Sequence, residues 1–150
     1  MSPMSVPAPG EEVAQAASGQ GPQPVLTEID HVAIAVNDLP AAIDYYRETF
    51  GAVVDHREVV ESDGVEEALL KVAESYVQLL TPTRPDSPVA KAIEKRGEGL
   101  HHVCFEVEDL EGKLAALKDQ GVRLVDQEPR PGLAGGVVAF LHPSAGKGVL

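Results

Sequence analysis

The sequence predicts an α+β fold in which two tandem β-α-β-β-β modules form one curved mixed sheet around a cleft suited to a metal ion. Three observations carry this expectation. A motif occurs twice, as Ile29-Asp-His-Val-Ala-Ile-Ala-Val-Asn-Asp-Leu39 and Leu100-His-His-Val-Cys-Phe-Glu-Val-Glu-Asp-Leu110, at a constant offset of 71 residues. Each copy alternates in side-chain size as a strand does. Each is followed by a helix-period segment opened by an aspartate and closed by a glycine.

In the first copy Val32, Ile34 and Val36 share a face opposite His31, Ala33 and Ala35. In the second, Val103, Phe105 and Val107 lie opposite His102, Cys104 and Glu106. The bulky face suits a covering helix. The small-residue face, with a histidine at its head, suits a cavity wall. Asp38 reads as an N-cap with Pro40 in the first turn, where its missing N–H costs little. Leu39, Ile43, Tyr46 and Phe50 then share a helix face, and Gly51 ends the helix. Strands are expected at about 52–60, 65–72 and 76–80, with Glu61-Ser-Asp-Gly64 as the turn between the first two. A linking helix is expected from Ser87 to Arg96, with Pro88 in its first turn.

In the second module Asp109 opens a helix carrying Leu110, Leu114 and Leu117, and Gly121 closes it. Strands at about 122–126 and 137–141 flank a loop at 129–136, and a last strand begins near Gly148. The expected organisation is a disordered tail at 1–24, module one at 25–81, a linker helix within 82–98 and module two at 99–150. The tail is rich in Pro, Gly, Ala, Ser and Gln and has too little apolar area to offset its ordering entropy. It has neither the basic start and apolar core of a secretory signal nor the arginines of a transit peptide, so a cytoplasmic location is expected.

Composition narrows the function classes. The chain has 150 residues with 43% hydrophobic content, values for one globular domain rather than a disordered chain. Its 24 acidic and 12 basic residues leave a net charge of −12, unsuited to a nucleic-acid binder, which needs a Lys/Arg face. No apolar run approaches the ~20 residues a membrane-spanning helix requires. The single cysteine, Cys104, excludes an internal disulfide and a cysteine-cluster zinc site, and reads as a small packing residue rather than a nucleophile.

If the modules pair about a pseudo-twofold axis, His31 and His102 point into the same cleft from equivalent positions. A lone inward histidine is more often a core residue than a ligand, but a repeat-equivalent pair is the commonest transition-metal donor type placed twice. His101 points to the opposite face and is expected to be a packing or surface residue, while His56 and His142 lack repeat partners. Gln78 lies between apolar neighbours in a strand, where an amide must be hydrogen-bonded or coordinating, or else face solvent. Glu66 and Glu67, adjacent in the third strand, read either as solvated edge-strand acids or as a pair of which the one facing the cleft, once desolvated, can act as a general base. Glu106 shares the face of His102 and reads as structural. Arg84, Lys91, Lys95 and Arg96 form the densest basic cluster, which reads either as a solvated helix face or as a patch for the phosphates of an anionic substrate.

These residues resemble those of the vicinal-oxygen-chelate superfamily (the glyoxalase fold) and, within it, the methylmalonyl-CoA epimerase family. The resemblance is carried by Asp30-His-Val-Ala-Ile-Ala-Val36, Gly64-Val-Glu-Glu67, Asp86-Ser-Pro88, Gly99-Leu-His-His-Val-Cys-Phe-Glu-Val107, Phe140-Leu-His-Pro143 and Gly146-Lys-Gly-Val-Leu150, and it spans about 27–150. It implies His31, Gln78 and His102 as metal ligands and Glu67 as general base. It also implies a fourth ligand and second acid/base, a Glu two residues after the Gly-Val-Leu motif. That position falls beyond Leu150, so the last strand is expected to be cut short.

The implied reaction is metal-dependent epimerisation of (2R)- and (2S)-methylmalonyl-CoA, a step of propionate metabolism, through a metal-stabilised enolate. The implied cofactor is a divalent metal, cobalt first, with Mn, Ni or Zn also compatible. The implied partners are a CoA thioester and a second copy of the chain. A loop at Gly132, Leu133, Ala134 and Gly135 is expected to offer backbone N–H groups to the substrate carboxylate. The alternatives are another metal-dependent enzyme of the superfamily, such as a glyoxalase-like one, and a metal-free small-molecule-binding relative.

Overall fold

The structure, a computed structural model, describes residues 25–132 and 135–150. The expected tail at 1–24, together with Leu133 and Ala134, lies outside the described residues. Strand β1 (Glu28–Ala35) leads into helix α1 (Leu39–Phe50), followed by β2 (Val54–Val60), β3 (Val65–Val72) and β4 (Ser75–Pro82). Helix α2 (Pro88–Arg96) links these to β5 (Gly99–Glu106) and α3 (Leu110–Asp119), with short strands β6 (Arg130–Pro131) and β7 (Val137–Val138) beyond. Five strands form one mixed sheet in the order β2-β3-β4-β1-β5, in which β1 and β4 run parallel and the other neighbours antiparallel. Placing β1 against β5 antiparallel brings the two copies of the repeated motif side by side, as a pseudo-twofold pairing requires.

The helix boundaries follow their capping residues. The Asp38 carboxylate accepts from the Ala41 N–H at 3.0 Å, Ser87 from Ala90 at 3.0 Å, and Asp109 from Gly112 at 3.2 Å. Gly51, at φ +68°, ends α1, and the Ala52 N–H turns back to the Tyr46 carbonyl. That contact takes Ala52, the first residue expected in β2, into the helix cap; the Val53 carbonyl already accepts from the Lys71 N–H, and β2 starts at Val54.

Ile34 and Val36 pack under α1 with Leu39, Ile43, Leu70 and Leu79, as the bulky face of β1 predicts. Phe50 departs from its expected burial and is 65% exposed: at the last helical position its ring meets those of Tyr45 and Tyr46 edge-on or tilted. The small face of β1 is only in part a cavity wall: Ala33 and Ala35 are sealed by Val65, Leu80 and Val89 of α2, leaving His31 at the open end.

The second module departs most from expectation. The predicted strand at 122–126 is reduced to a single bridge, Leu124 to Leu141, and that at 137–141 to the two residues of β7. The N–H groups of Val125 and Asp126 both reach the Phe140 carbonyl, and the Asp126 carboxylate takes the Phe140 N–H, so a side chain interrupts the ladder and the backbone pairing is irregular. Pro129 and Pro131 also lack donors. The last strand expected near Gly148 is a turn instead. A 3₁₀ turn at Pro143–Gly146 is followed by Lys147 at φ +59° and Gly148 at φ +99°, and the Leu150 carbonyl joins β5, accepting from the Val103 N–H at 3.1 Å. No helix among the described residues is long and apolar enough to cross a membrane.

Candidate functional site

A cavity of about 1120 Å³ opens beside β5 and is lined, among others, by His31, Glu67, Gln78, His102 and Arg130. The four residues expected to do chemistry are the charged or polar groups buried at its wall: His31 is 4% exposed, Glu67 3%, Gln78 3% and His102 6%. They come from neighbouring strands in register. Ala33 of β1 stands opposite both Gln78 of β4 and His102 of β5, and Glu67 of β3 pairs with Leu80 of β4. Of the two adjacent acids, Glu67 faces the cavity and Glu66 turns outward to Arg57 at 3.0 Å.

The imidazoles meet at their Nε2 atoms, 3.1 Å apart. The Gln78 amide donates from Nε2 to Glu67 Oε2 at 2.5 Å, which leaves Gln78 Oε1 and Glu67 Oε1 buried with no partner among the described residues. An unpaired buried oxygen is costly, so this pair is set to receive a ligand or a proton.

Two irregularities orient the histidines. The β1–β5 register skips Asp30 on β1 and His101 on β5, so each histidine is preceded by a bulged residue. Asp30 Oδ2 thereby lies 2.7 Å from His31 Nδ1, placing that proton on Nδ1 and a lone pair on Nε2. His101 is turned by its bulge out of the expected opposite-face position and brings its Nδ1 to 2.8 Å from that of His102. Alternation alone does not reveal either contact. The one available signal is that a polar residue precedes the histidine in both copies.

Burial and neighbouring charge set the protonation states. Burial pushes the Glu67 carboxyl up to about 8, helped by the neighbouring Glu58 carboxyl and by the charge of Asp63, while the Gln78 bond works the other way. Burial likewise pushes His102 down to about 3, with the charges of His101, His31 and Arg130 adding to it. The Cys104 thiol is pushed up to about 11 by burial and then by Asp30 and Glu106, which agrees with a packing role. Glu58, directly across from Glu67 in the β2–β3 ladder, was not singled out from the sequence, since an acid on an edge strand reads as solvated.

The donor set fits a metal. Two imidazole Nε2 atoms and the free Gln78 oxygen, all buried at one cavity wall, are nitrogen and oxygen ligands suited to a divalent transition ion. Asp30, His31 and Cys104 also bring ligand atoms within 4.8 Å of one another. A thiol held neutral is a weak ligand, and the Asp30 contact already occupies Nδ1.

The remaining candidates take other places. The Gly132 N–H is bonded to the Gly136 carbonyl at 2.9 Å within its own hairpin, so it is not free for a substrate; Gly135 lies at φ +79°, and Leu133 and Ala134 are outside the described residues. Arg84 is removed from the expected phosphate patch, donating instead to the Glu61 and Ser62 carbonyls and pairing with Asp86. His142 caps the 3₁₀ turn by accepting from the Ser144 N–H, as its lack of a repeat partner suggests.

Comparison with known proteins agrees with this fold. The model of the glyoxalase/bleomycin resistance protein/dioxygenase superfamily matches residues 30–140, and the chain belongs to that superfamily. A Streptomyces coelicolor methylmalonyl-CoA epimerase variant in complex with 2-nitronate-propionyl-CoA is 47% identical with a TM-score of 0.79, over 83% of this chain and 90% of that one. The methylmalonyl-CoA epimerase of Mycobacterium tuberculosis is 37% identical with a TM-score of 0.81, over 89% of this chain and 90% of that one. The ethylmalonyl-CoA/methylmalonyl-CoA epimerase of Cereibacter sphaeroides is 38% identical over 84% of this chain and 96% of its own length. Within the superfamily, the chain is a member of the methylmalonyl-CoA epimerase family of isomerases.

Proposed function

We propose that this chain interconverts (2R)- and (2S)-methylmalonyl-CoA by moving the proton at Cα, with Glu67 as one of its two acid/base groups. The observation that carries this reading is the unpartnered Glu67 Oε1, buried at the cavity wall and held in place through Oε2 by Gln78. A carboxylate so placed can remove or deliver a proton without reorganising. The Cα of a malonyl thioester is acidic because it lies between two carbonyl groups. When Glu67 takes that proton, the electron pair passes into the thioester oxygen as an enolate. Reprotonation on the other face needs a second acid, for which the family pattern supplies a glutamate after Leu150.

His31, Gln78 and His102 would hold a divalent metal through Nε2, Oε1 and Nε2. Bound there, it supplies Lewis-acid stabilisation of the enolate oxygen. Asp30 keeps His31 in the ligating tautomer, and the hydrophobic contacts of Ala33, Ala35 and Leu80 keep water from the inner end of the site.

The test is incubation of (2R)-methylmalonyl-CoA with the protein and cobalt(II) in heavy water. Deuterium at Cα together with the 2S isomer is the expected result. Metal binding with neither product would favour another enzyme of the superfamily, and absence of metal binding a small-molecule carrier.

A further inference from the structure

Lys113 and Arg130 are the lysine or arginine residues among the described lining of the cavity. Arg130 is the one built into the site. Its Nε lies 3.2 Å from Asp126 Oδ2, and the same oxygen accepts the Phe140 N–H at 2.7 Å, so the acid that holds the guanidinium is itself fixed to the backbone. The guanidinium carbon stands 4.9 Å above the Phe140 ring, and that ring meets the His102 ring edge-on at 5.1 Å. One aromatic side chain therefore separates the cation from the proposed metal-binding histidine. The third contact, Nη1 to Asp63 Oδ1, is long at 3.4 Å and reaches a more exposed acid, 42% against 18% for Asp126.

Guanidinium has five N–H donors in a fixed plane, and only two are directed at these acids. A fork held on one edge and loosely paired on the other is preorganised for a planar anion. The hairpin expected to offer a backbone donor at Gly132 has that N–H occupied, whereas the same hairpin presents the Arg130 side chain to the cavity.

We propose that Arg130 receives the carboxylate of the acyl group, displacing Asp63, and so selects thioesters that carry an α-carboxylate. The proposal rests on the reading of the site as one for a CoA thioester. Asp126 is the positioning residue for the fork, and Asp63 is the internal competitor that fills it between substrates. Phe140 contributes by holding the guanidinium plane and shielding it from bulk water.

The test is calorimetric binding of malonyl-CoA and propionyl-CoA, which differ by the carboxylate, to the full chain loaded with cobalt(II). The unsubstituted chain is expected to prefer malonyl-CoA. Arg130→Gln should weaken malonyl-CoA by about 10- to 100-fold, the worth of a hydrogen bond to a charged group, and leave propionyl-CoA unchanged. Asp63→Asn should tighten malonyl-CoA with no effect on propionyl-CoA, an opposite sign that a merely structural clamp does not produce. If Arg130→Gln does not fold, Arg130→Lys keeps the charge without the fork and should lose part of the preference. Equal losses for both ligands, an undiminished preference in Arg130→Gln, or weaker malonyl-CoA binding in Asp63→Asn would overturn the proposal. An active epimerase with unchanged discrimination in Arg130→Gln defeats this inference alone. Discrimination that depends on Arg130 in a chain without epimerase activity defeats the functional reading alone.

Discussion

The Asp30 carboxylate lies 2.7 Å from His31 Nδ1 because Asp30 is the residue that the β1–β5 ladder skips. In a regular strand the two side chains would leave opposite faces. The bulge turns the acid toward its neighbour's ring, and the far nitrogen of that ring is left with its lone pair directed at His102. Asp30→Asn should therefore weaken metal binding by about 10- to 100-fold, the usual effect of losing such a partner. Competition against a chelating indicator dye measures this, and an unchanged metal affinity would mean that His31 does not need the acid.

His31→Ala and His102→Ala should each abolish metal retention in a protein that still folds. The strands that carry these residues are paired along their length, and the clusters under α1 and α2 do not depend on the imidazoles. Elemental analysis of the purified variants, with circular dichroism as the folding control, provides the measurement. Full metal content in either variant would exclude that histidine as a ligand.

Glu67→Gln retains the shape and the contact with Gln78 but removes the base. Epimerisation should fall by about 10²- to 10⁴-fold while metal content is unchanged. Activity within a few-fold of the parent would transfer the role to another group, with Glu58 across the ladder as the first to test.

Gly64 stands at φ +65°, and a Cβ placed there would lie 2.8 Å from the guanidinium carbon of Arg84. Gly64→Ala meets both a left-handed backbone, worth about 1–2 kcal/mol, and the Arg84 side chain, which ties the β2–β3 turn to the segment after β4 through the carbonyls of Glu61 and Ser62. Its urea midpoint should drop accordingly, and an unchanged midpoint would show that Arg84 can move aside at no cost.

Two apolar truncations should separate core from surface. Leu79 is wholly buried between Leu39, Ala68 and Leu70, so Leu79→Ala should cost about 2–5 kcal/mol. Phe50→Ala, on an exposed ring cluster, should cost about 1 kcal/mol or less in the same denaturation experiment. A reversed order would mean that the aromatic cluster is covered in solution.

Much of the site is legible in the sequence. The repeat placed His31 and His102 as equivalents, because two strands of one motif paired antiparallel must bring like positions together. The amphipathic faces of Leu39 and Ile43 and of Leu114, and the caps at Asp38, Ser87 and Asp109, are local properties that the chain carries in any context. The choice between Glu66 and Glu67 was not local: alternation puts one on each face, and only the packing of β3 between β2 and β4 decides which face is the cavity.

What the sequence determined by itself was periodicity, capping and the chemical character of the ligands, since each depends on residues close along the chain. Tertiary structure alone decided the bulges that turn Asp30 and His101 onto their neighbours, the approach of Glu58 to Glu67, and the position of Arg130 between Asp63 and Asp126. It also decided that the strands expected in the second module give way to irregular backbone pairing interrupted by the Asp126 carboxylate. These features arise from pairings between distant segments, where a one-residue shift of register changes every contact, and a residue's own neighbours in the chain contain no record of that shift.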